Sequence, residues 1–320
     1  MDHLLNSSRF LVLAMDPVKL NHYRLAAENG FWKHKRTAFQ DWLVAILIKR
    51  YSDDFIRIRL SKGDGGLDGY RLSAQTVYQV FAPRDYTAAD MADKIRDDFA
   101  HAKQTLADKK LDMKTWIFVH NDPDDLPHEA VTQLAKLQAD NPGIAIRRWE
   151  FTAIWNEIKQ LADDELVELF GAAPTLELLE GLCYQDIIPV IEHLATEKVP
   201  PLPPTDPPSP RKLEFNELSE ERSNYIQRGR SKQGLVESYL STMPEEDKPE
   251  QIAEAFRRRY ATHRDAGFDA DQIFDELWLF AGGQVFASEP VKLAGVMTVL
   301  AYYFDSCDIF ANPPEPHETT

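Results

Sequence analysis

The chain has 320 residues, of which 43 % are hydrophobic and 28 % charged, and its formal net charge is −16 at pH 7. This length accommodates two domains, and no apolar run reaches the roughly 18 residues that a membrane-spanning helix needs. The acidic balance argues against a surface that coats nucleic acid indiscriminately, because affinity for the phosphate backbone depends on cations at the contact. Three clusters of basic residues are compatible with a local groove or with an ordinary solvated surface: Lys33, Lys35 and Arg36; Arg57, Arg59 and Lys62; and Arg147 and Arg148.

The cysteines and the start of the chain predict a reduced, cytoplasmic protein. Cys183 and Cys307 lie far apart in helical contexts, and no CxxC or HxxxH spacing indicates zinc. The apolar segment Phe10–Met15 has no basic segment before it and no small-residue cleavage site after it, so a cleaved signal peptide is not expected. Met15 is an alternative first residue.

The first part of the chain alternates between helices and strands. Thr87 and Asp90 have the spacing of a helix-starting capping box. The predicted elements, in chain order, are a helix over Asn21–Arg50, a strand over Phe55–Leu60 that exposes Arg57 and Arg59, a hairpin of Leu67–Leu72 with Thr76–Phe81, a helix over Thr87–Lys109, a strand over Thr115–Val119, a helix over Pro127–Ala139, a strand over Ile144–Trp149, and helices over Ala153–Leu161 and Asp164–Phe170. This order predicts an α/β domain with a mixed sheet flanked by helices.

A proline-rich segment separates this domain from a second, smaller one. Prolines recur through residues 199–210, where each removes a backbone donor and fixes φ, so an extended linker is expected. The predicted domains are therefore residues 16–198, with trailing helices, and residues 211–320. The second domain is predicted to be all-α. Its segment Val291–Phe304 is apolar on nearly every side, which indicates a helix in the domain core or, as the alternative, at an obligate partner surface.

The hairpin carries the candidate site. Asp68 lies inside a predicted strand, where aspartate is disfavoured without a purpose, whereas Asp64 is equally compatible with a simple turn. Because strand side chains alternate, Gln79 and Phe81 share a face, and Asp68 meets them across the hairpin. This is the outline of the PD-(D/E)xK nuclease motif, in which two acids bind Mg²⁺ and a lysine polarises the scissile phosphate.

Two of the positions in this motif differ from the pattern. Gln79 stands for the second acid and can still bind a metal through its amide oxygen, but Phe81 stands for the lysine and cannot supply its charge. Lys94 in the following helix, or Lys62 before the glycine-rich turn, can return an ammonium to the site. The predicted catalytic residues are therefore Asp68, Gln79 and Lys94, and the predicted Mg²⁺ ligands are Asp68, Gln79 and Asp41 from the first helix.

The same segments carry a resemblance to a known family. Phe39–Leu43, Gly63–Tyr70 and Val77–Pro83 resemble the restriction-endonuclease-like N-terminal domain of bacterial ABC-three-component defence proteins, which include the Lamassu type. Ala301–Phe310 is similar to the C-terminal helical domain by which such proteins are recruited to their complex.

This resemblance implies an anti-phage or anti-plasmid subunit that works with an SMC- or Rad50-like ABC ATPase and an accessory subunit. By position, Asp68 matches the metal-binding acid and Gln79 the second acid. The first-helix glutamate of the family falls on Gln40, one residue before Asp41.

Three functions fit these observations. The first is a catalytically silent module that binds DNA or protein, and the missing lysine favours it. The second is an active Mg²⁺-dependent endonuclease that uses a relocated Lys94. The third is a structural adaptor with no nucleic-acid role, which suits the acidic balance; oligomerisation is compatible with all three.

Overall fold

The computed structural model describes residues 15–58, 67–122, 125–196, 212–245, 247–306 and 309–310. The chain forms two compact units. The α/β unit comprises Arg24–Gly171, and the helical unit comprises Ala172–Thr320 together with the segment up to Tyr23. No helix within the described ranges combines the length and the apolar character needed to cross a membrane.

Apart from the first predicted helix, which is divided in two, the α/β unit contains the elements that the sequence predicts, in the predicted order. The capping box is present: the Thr87 side chain accepts from the Asp90 backbone nitrogen, and the Asp90 carboxylate accepts from the Thr87 nitrogen. The elements are α1 (Pro17–Lys33), α2 (Thr37–Tyr51), β1 (Phe55–Arg57), β2 (Gly69–Arg71), β3 (Thr76–Phe81), α3 (Ala88–Asp108), β4 (Thr115–His120), α4 (His128–Asp140), β5 (Ala145–Trp149), α5 (Phe151–Ile158) and α6 (Asp163–Phe170). α1 begins in the helical unit.

The strands form one mixed sheet in the order β1-β2-β3-β4-β5. β1, β2 and β3 are antiparallel neighbours, whereas β4 and β5 are parallel to β3, because α3 and α4 provide the crossovers that parallel strands need. The predicted mixed sheet with flanking helices is therefore confirmed at the level of architecture.

One face of the sheet is covered by α3 and α4. Val77 on β3 pairs with Trp116 on β4, and Gln79 pairs with Phe118, so these side chains share that face. Met91, Ile95 and Phe99 from α3 join the aromatic side chains of β4 in a buried cluster. The polar Gln79 is thus placed among apolar neighbours.

The first helical prediction is wrong in one respect. A single helix was expected over Asn21–Arg50, but α1 ends at Lys33 and α2 begins at Thr37. Arg36 adopts a left-handed φ of 55°, and its backbone nitrogen donates to the Ala82 carbonyl at 2.6 Å. A tertiary contact causes this break. The apolar periodicity of the sequence therefore continues through it and does not reveal it.

The helical unit contains no strand within its described residues, as predicted. Its helices are α7 (Leu176–Gly181), α8 (Tyr184–Leu194), α9 (Lys212–Phe215), α10 (Glu220–Arg230), α11 (Gln233–Leu240), α12 (Lys248–Asp265), α13 (Ala270–Phe280) and α14 (Pro290–Ser306). α14 is buried along most of its length by α8, α10 and α11. Its apolar surface is therefore buried in the core of the unit. This supports the prediction that Val291–Phe304 is a core helix over the alternative of an obligate partner surface.

The boundary between the units differs from the predicted one. The predicted first domain reaches residue 198, but the helical unit begins at Ala172, since α7 and α8 pack against α14. The proline content of the sequence predicts a boundary at the linker. The boundary between two hydrophobic cores, however, depends on which helices pack together. The linker at 199–210 lies outside the described residues, as do Arg59, Lys62, Gly63–Gly66 and Cys307.

Candidate functional site

Asp68 is buried at the start of β2, with 8 % of its surface exposed. Its backbone nitrogen donates to the Tyr78 carbonyl at 3.0 Å, and its Oδ2 accepts from the Val80 backbone nitrogen at 2.6 Å. The adjacent Gly69 lies against the Phe55 ring, which leaves no room for a Cβ atom. The glycine–aspartate pair therefore has a local reason: Gly69 permits close approach of the ring, and Asp68 holds the end of the hairpin.

Gln40 is the residue of α2 that reaches Asp68. Its side-chain nitrogen donates to Asp68 Oδ1. The neighbouring Asp41, predicted as a metal ligand, instead forms an ion pair with Arg57 at 2.5 Å, and its side chain is 53 % exposed. By the family resemblance, the glutamate of the first helix falls on Gln40. Because a glutamine side chain carries no charge, the predicted metal ligand is the neighbouring Asp41.

Gln79 is almost fully buried, with 2 % of its surface exposed. The register that pairs Gly69 with Tyr78 brings Asp68 opposite Gln79, one step further along the two strands. Gln79 Oε1 has no hydrogen-bond partner within the part of the chain that is described. Asp68, Gln79 and Gln40 thus come together, as the hairpin argument predicts for the first two.

Phe81 fills the lysine position with an apolar contact. Its ring meets the Tyr86 ring edge-on, with centroids 5.4 Å apart, and stacks on Phe118 at 5.8 Å. At the position where the predicted motif requires a lysine, β3 therefore presents an aromatic ring and no charge.

Lys94 carries its charge to a different acid. Its Nζ lies 2.9 Å from Asp98 Oδ1, one helical turn along α3. The Lys94 side chain is 34 % exposed, whereas Asp98 is 3 % exposed. The ion pair gives Lys94 a structural task, and its relocation toward Asp68 stays a prediction.

His120 is a buried titratable group that the sequence reasoning missed. It ends β4 opposite Phe81, is 1 % exposed, and its Nδ1 accepts from the Asp122 backbone nitrogen at 3.4 Å. Burial lowers the pKa of His120 to about 4, and Arg148 acts in the same direction. The imidazole is therefore neutral at pH 7, and no spacing in the sequence reveals it.

Three described residues of the basic clusters are engaged in contacts within the chain. Arg57 is neutralised by Asp41, and Arg148 lies 3.4 Å from Glu150. Lys35 donates to the backbone and side-chain oxygens of Asn121 at 3.1 and 3.2 Å. The two ion pairs offset the charges of Arg57 and Arg148, and the contacts of Lys35 hold its ammonium against Asn121.

The donor set around Asp68 does not fit catalytic Mg²⁺. Among the residues that the structure describes, it contains one carboxylate and two neutral amides, and the Gln40 amide presents a donor to the carboxylate where a second acid would share the metal. No group of three or more His, Cys, Asp or Glu side chains suited to a metal is present among the described residues. The remaining argument for a metal is Gln79 Oε1, a single neutral oxygen.

Comparison with known proteins identifies the helical unit. Residues 185–311 match the family described as C-terminal domain 10 of the ABC-three component (ABC-3C) systems. The matched segment covers less than half of the chain and leaves the α/β unit outside it. Among curated proteins and solved structures, none matches the chain. The match supports a component of an ABC-three-component defence system, and such components form multi-subunit complexes.

Proposed function

We propose that this ABC-three-component subunit binds without cutting: its helical unit docks onto an SMC- or Rad50-like ATPase, and its α/β unit is a silent derivative of a Mg²⁺-dependent nuclease. The family match of residues 185–311 supports the role in a complex. The observation that supports silence is the hydrogen bond from Gln40 to Asp68, in which a donor faces the carboxylate that a nuclease would give to a metal.

Phe81 adds a second reason for silence. Phosphodiester hydrolysis needs positive charge at the developing anionic phosphate, and an aromatic ring in an apolar cluster provides none. The Lamassu type and the PD-(D/E)xK ancestry of the α/β unit are parts of this proposal. They rest on the Asp68, Gln79 and Gln40 positions.

Cleavage is tested with supercoiled plasmid in the presence of Mg²⁺ or Mn²⁺, with and without the co-expressed ATPase subunit. The wild-type chain, Asp68→Ala and Lys94→Ala are expected to leave the plasmid intact. Nicking by the wild type that disappears in both variants would instead establish the endonuclease with a relocated lysine.

Docking is tested by co-purification of the full chain with the ATPase subunit. Arg222 is 2 % exposed and pairs with Asp271 and Asp275 inside the helical unit, so Arg222→Met disrupts that unit. We expect Arg222→Met to abolish co-purification. The matched control Arg264→Met changes a largely exposed arginine paired with Asp265 and is expected to leave co-purification intact. Retention of the ATPase by Arg222→Met would contradict docking through the helical unit.

A further inference from the structure

A cavity of about 370 Å³ lies in the α/β unit beyond the carboxyl ends of β3 and β4. Phe81, the last residue of β3, forms part of its wall, and Asn121 and Asp122 follow β4 directly. The carboxyl ends of parallel strands are the edge at which open α/β sheets bind ligands. The volume is at the small end of ligand pockets and suits one compact molecule.

Two cationic groups line this cavity. Lys35 and Arg84 are both wall residues. Arg84 is exposed and forms no hydrogen bond or ion pair with any described residue, so its five donors are available to a ligand. Lys35 uses its contacts with the two Asn121 oxygens to hold its ammonium in place. A planar guanidinium beside an ammonium is an arrangement that recognises a phosphate or a carboxylate.

Asn121 makes the position of Lys35 fixed. Its side chain is 2 % exposed, and its Nδ2 donates to the carbonyls of Phe31 and His34 at 2.7 Å each. The same amide accepts from Lys35 through Oδ1 at 3.2 Å. The segment between α1 and α2 is thereby fastened to the end of β4. Burial lowers the pKa of Lys35 and Asp122 opposes that shift; an anion bound beside the ammonium would act as Asp122 does and favour its charged form.

An aromatic wall stands beside these cations. The half-buried rings of Phe81 and Tyr86 both line the cavity and are held edge-to-face. The face of an aromatic ring binds nucleobases by stacking, with little dependence on base identity. Two carboxylates, Asp85 and Asp122, also line the cavity, and the exposed Asp85 can accept from amino groups of a base.

The charges select the size of the anion. Lys35 and Arg84 can pair with one phosphate, whereas Asp85 and Asp122 would repel the additional negative charges of a polyphosphate. The combination required is one phosphate, one aromatic ring and ring-attached N–H donors. A nucleoside monophosphate has these groups.

We propose that this cavity binds one nucleotide monophosphate unit, with its phosphate at Lys35 and Arg84 and its base against Tyr86 and Phe81. The unit can be a free 5′-nucleotide or the 5′-phosphorylated end of a DNA strand. This inference deepens the proposed function by naming what the silent α/β unit binds, and it rests on that function for its place in the defence complex. In this assignment, the residue that stands in place of the lysine of the motif, Phe81, also supplies part of the aromatic wall.

Binding is measured by calorimetry on the full chain with deoxynucleoside 5′-monophosphates, the corresponding nucleosides, and short single-stranded oligonucleotides with and without a 5′-phosphate. We expect the phosphate-bearing forms to bind at least about tenfold more tightly than their unphosphorylated counterparts. Preference for the oligonucleotide identifies a DNA end as the source, and preference for the free nucleotide identifies a small metabolite; either result supports the cavity assignment.

The site is located with two surface variants and a control. Arg84→Gln and Tyr86→Leu are each expected to weaken binding by about tenfold, since one removes phosphate contacts and the other removes stacking. Arg96→Gln removes an exposed arginine of α3 that pairs with Asp93 and Asp97 and is expected to bind as the wild type does.

Absence of binding by every compound, equal affinity for phosphorylated and unphosphorylated forms, or wild-type affinity in both Arg84→Gln and Tyr86→Leu would overturn the assignment. Each of these failures leaves co-purification with the ATPase and the absence of nicking untouched. Failure of the ligand site is thus distinguishable from failure of the proposed function.

Discussion

The side-chain nitrogen of Gln40 donates a hydrogen bond to Oδ1 of Asp68, which joins α2 to the start of the hairpin. Asp68 simultaneously accepts from the Val80 backbone nitrogen through Oδ2. A carboxylate that receives donors on both oxygens acts as a structural brace. This relationship separates a silent site from an active one more directly than the absence of the lysine does.

The brace predicts a stability cost at Asp68. Asp68→Ala removes two hydrogen bonds to a buried charged acceptor and is expected to lower the free energy of unfolding by about 2–3 kcal/mol. The control Asp41→Ala removes a more exposed ion pair with Arg57 and is expected to cost less than about 1 kcal/mol. Urea unfolding of the two variants and the wild type measures both losses in the free energy of unfolding. A more stable Asp68→Ala variant would indicate an acid held under strain for catalysis.

Glutamates in place of Gln40 and Gln79 are expected to create a Mg²⁺-binding site. In the double variant Gln40→Glu with Gln79→Glu, three carboxylates meet, so mutual repulsion is expected to lower the melting temperature without metal. Millimolar Mg²⁺ is expected to raise it again, because an ion that binds only the folded state stabilises it. The control Gln40→Met with Gln79→Met and the wild type should show no such rise. A Mg²⁺-dependent rise in the wild type would contradict the poor fit of its donor set.

The Lys94–Asp98 pair predicts a structural effect of Lys94→Ala. Asp98 loses an ion pair in a buried position, and we expect a loss of about 1–2 kcal/mol, below the value for a fully buried pair because Lys94 is partly exposed. Asp98→Leu combined with Lys94→Ala should recover part of this loss. Thermal unfolding of the two variants checks the prediction. Unchanged stability in Lys94→Ala would free Lys94 for the relocated catalytic role.

His120 predicts a decline in stability between pH 6.5 and pH 4. Its folded pKa of about 4 lies below the ordinary value of 6.5, so the unfolded chain takes up the proton first as the pH falls. The stabilisation is complete above pH 6.5 and is lost toward pH 4, by up to about 3 kcal/mol. His22 in the helical unit, whose pKa burial also lowers to about 4, contributes in the same direction.

The histidine contribution is measured by urea unfolding of the wild type and His120→Asn over this pH range. His120→Asn keeps an acceptor for the Asp122 nitrogen and is expected to show a shallower decline. The exposed His101→Asn should decline as the wild type does. Identical pH profiles for His120→Asn and the wild type would exclude His120 as a cause.

Substitution of Arg222 is expected to lower the stability of the helical unit strongly. Its guanidinium donates to both carboxylate oxygens of Asp275, at 3.1 and 2.6 Å, and to Asp271 at 3.0 Å. Arg222→Met leaves those acids without their shared cation, and a loss of about 3–5 kcal/mol is expected. Arg222→Lys should recover only part of it, because an ammonium cannot match the planar geometry. Equal stability of Arg222→Lys and the wild type would contradict this account.

The sequence by itself determined the elements and their order. Period-two apolar alternation marked the strand predicted over Phe55–Leu60, the Thr87–Asp90 spacing marked the start of α3, and the apolar run Val291–Phe304 marked the central helix of the second unit. These are local signals, because each depends on residues within a few turns or strands of one another. The opposition of Asp68 and Gln79 also followed from strand alternation alone.

Only the tertiary structure decided which side chains meet across the chain. Gln40 instead of Asp41 faces Asp68, the helix breaks before Thr37 because Ala82 and Asn121 bind its backbone, and α7 and α8 join the helical unit through α14. Each outcome depends on contacts between residues distant in sequence, whose geometry no local periodicity encodes. The cavity beside Phe81 belongs to the same class, since three separate chain segments build it.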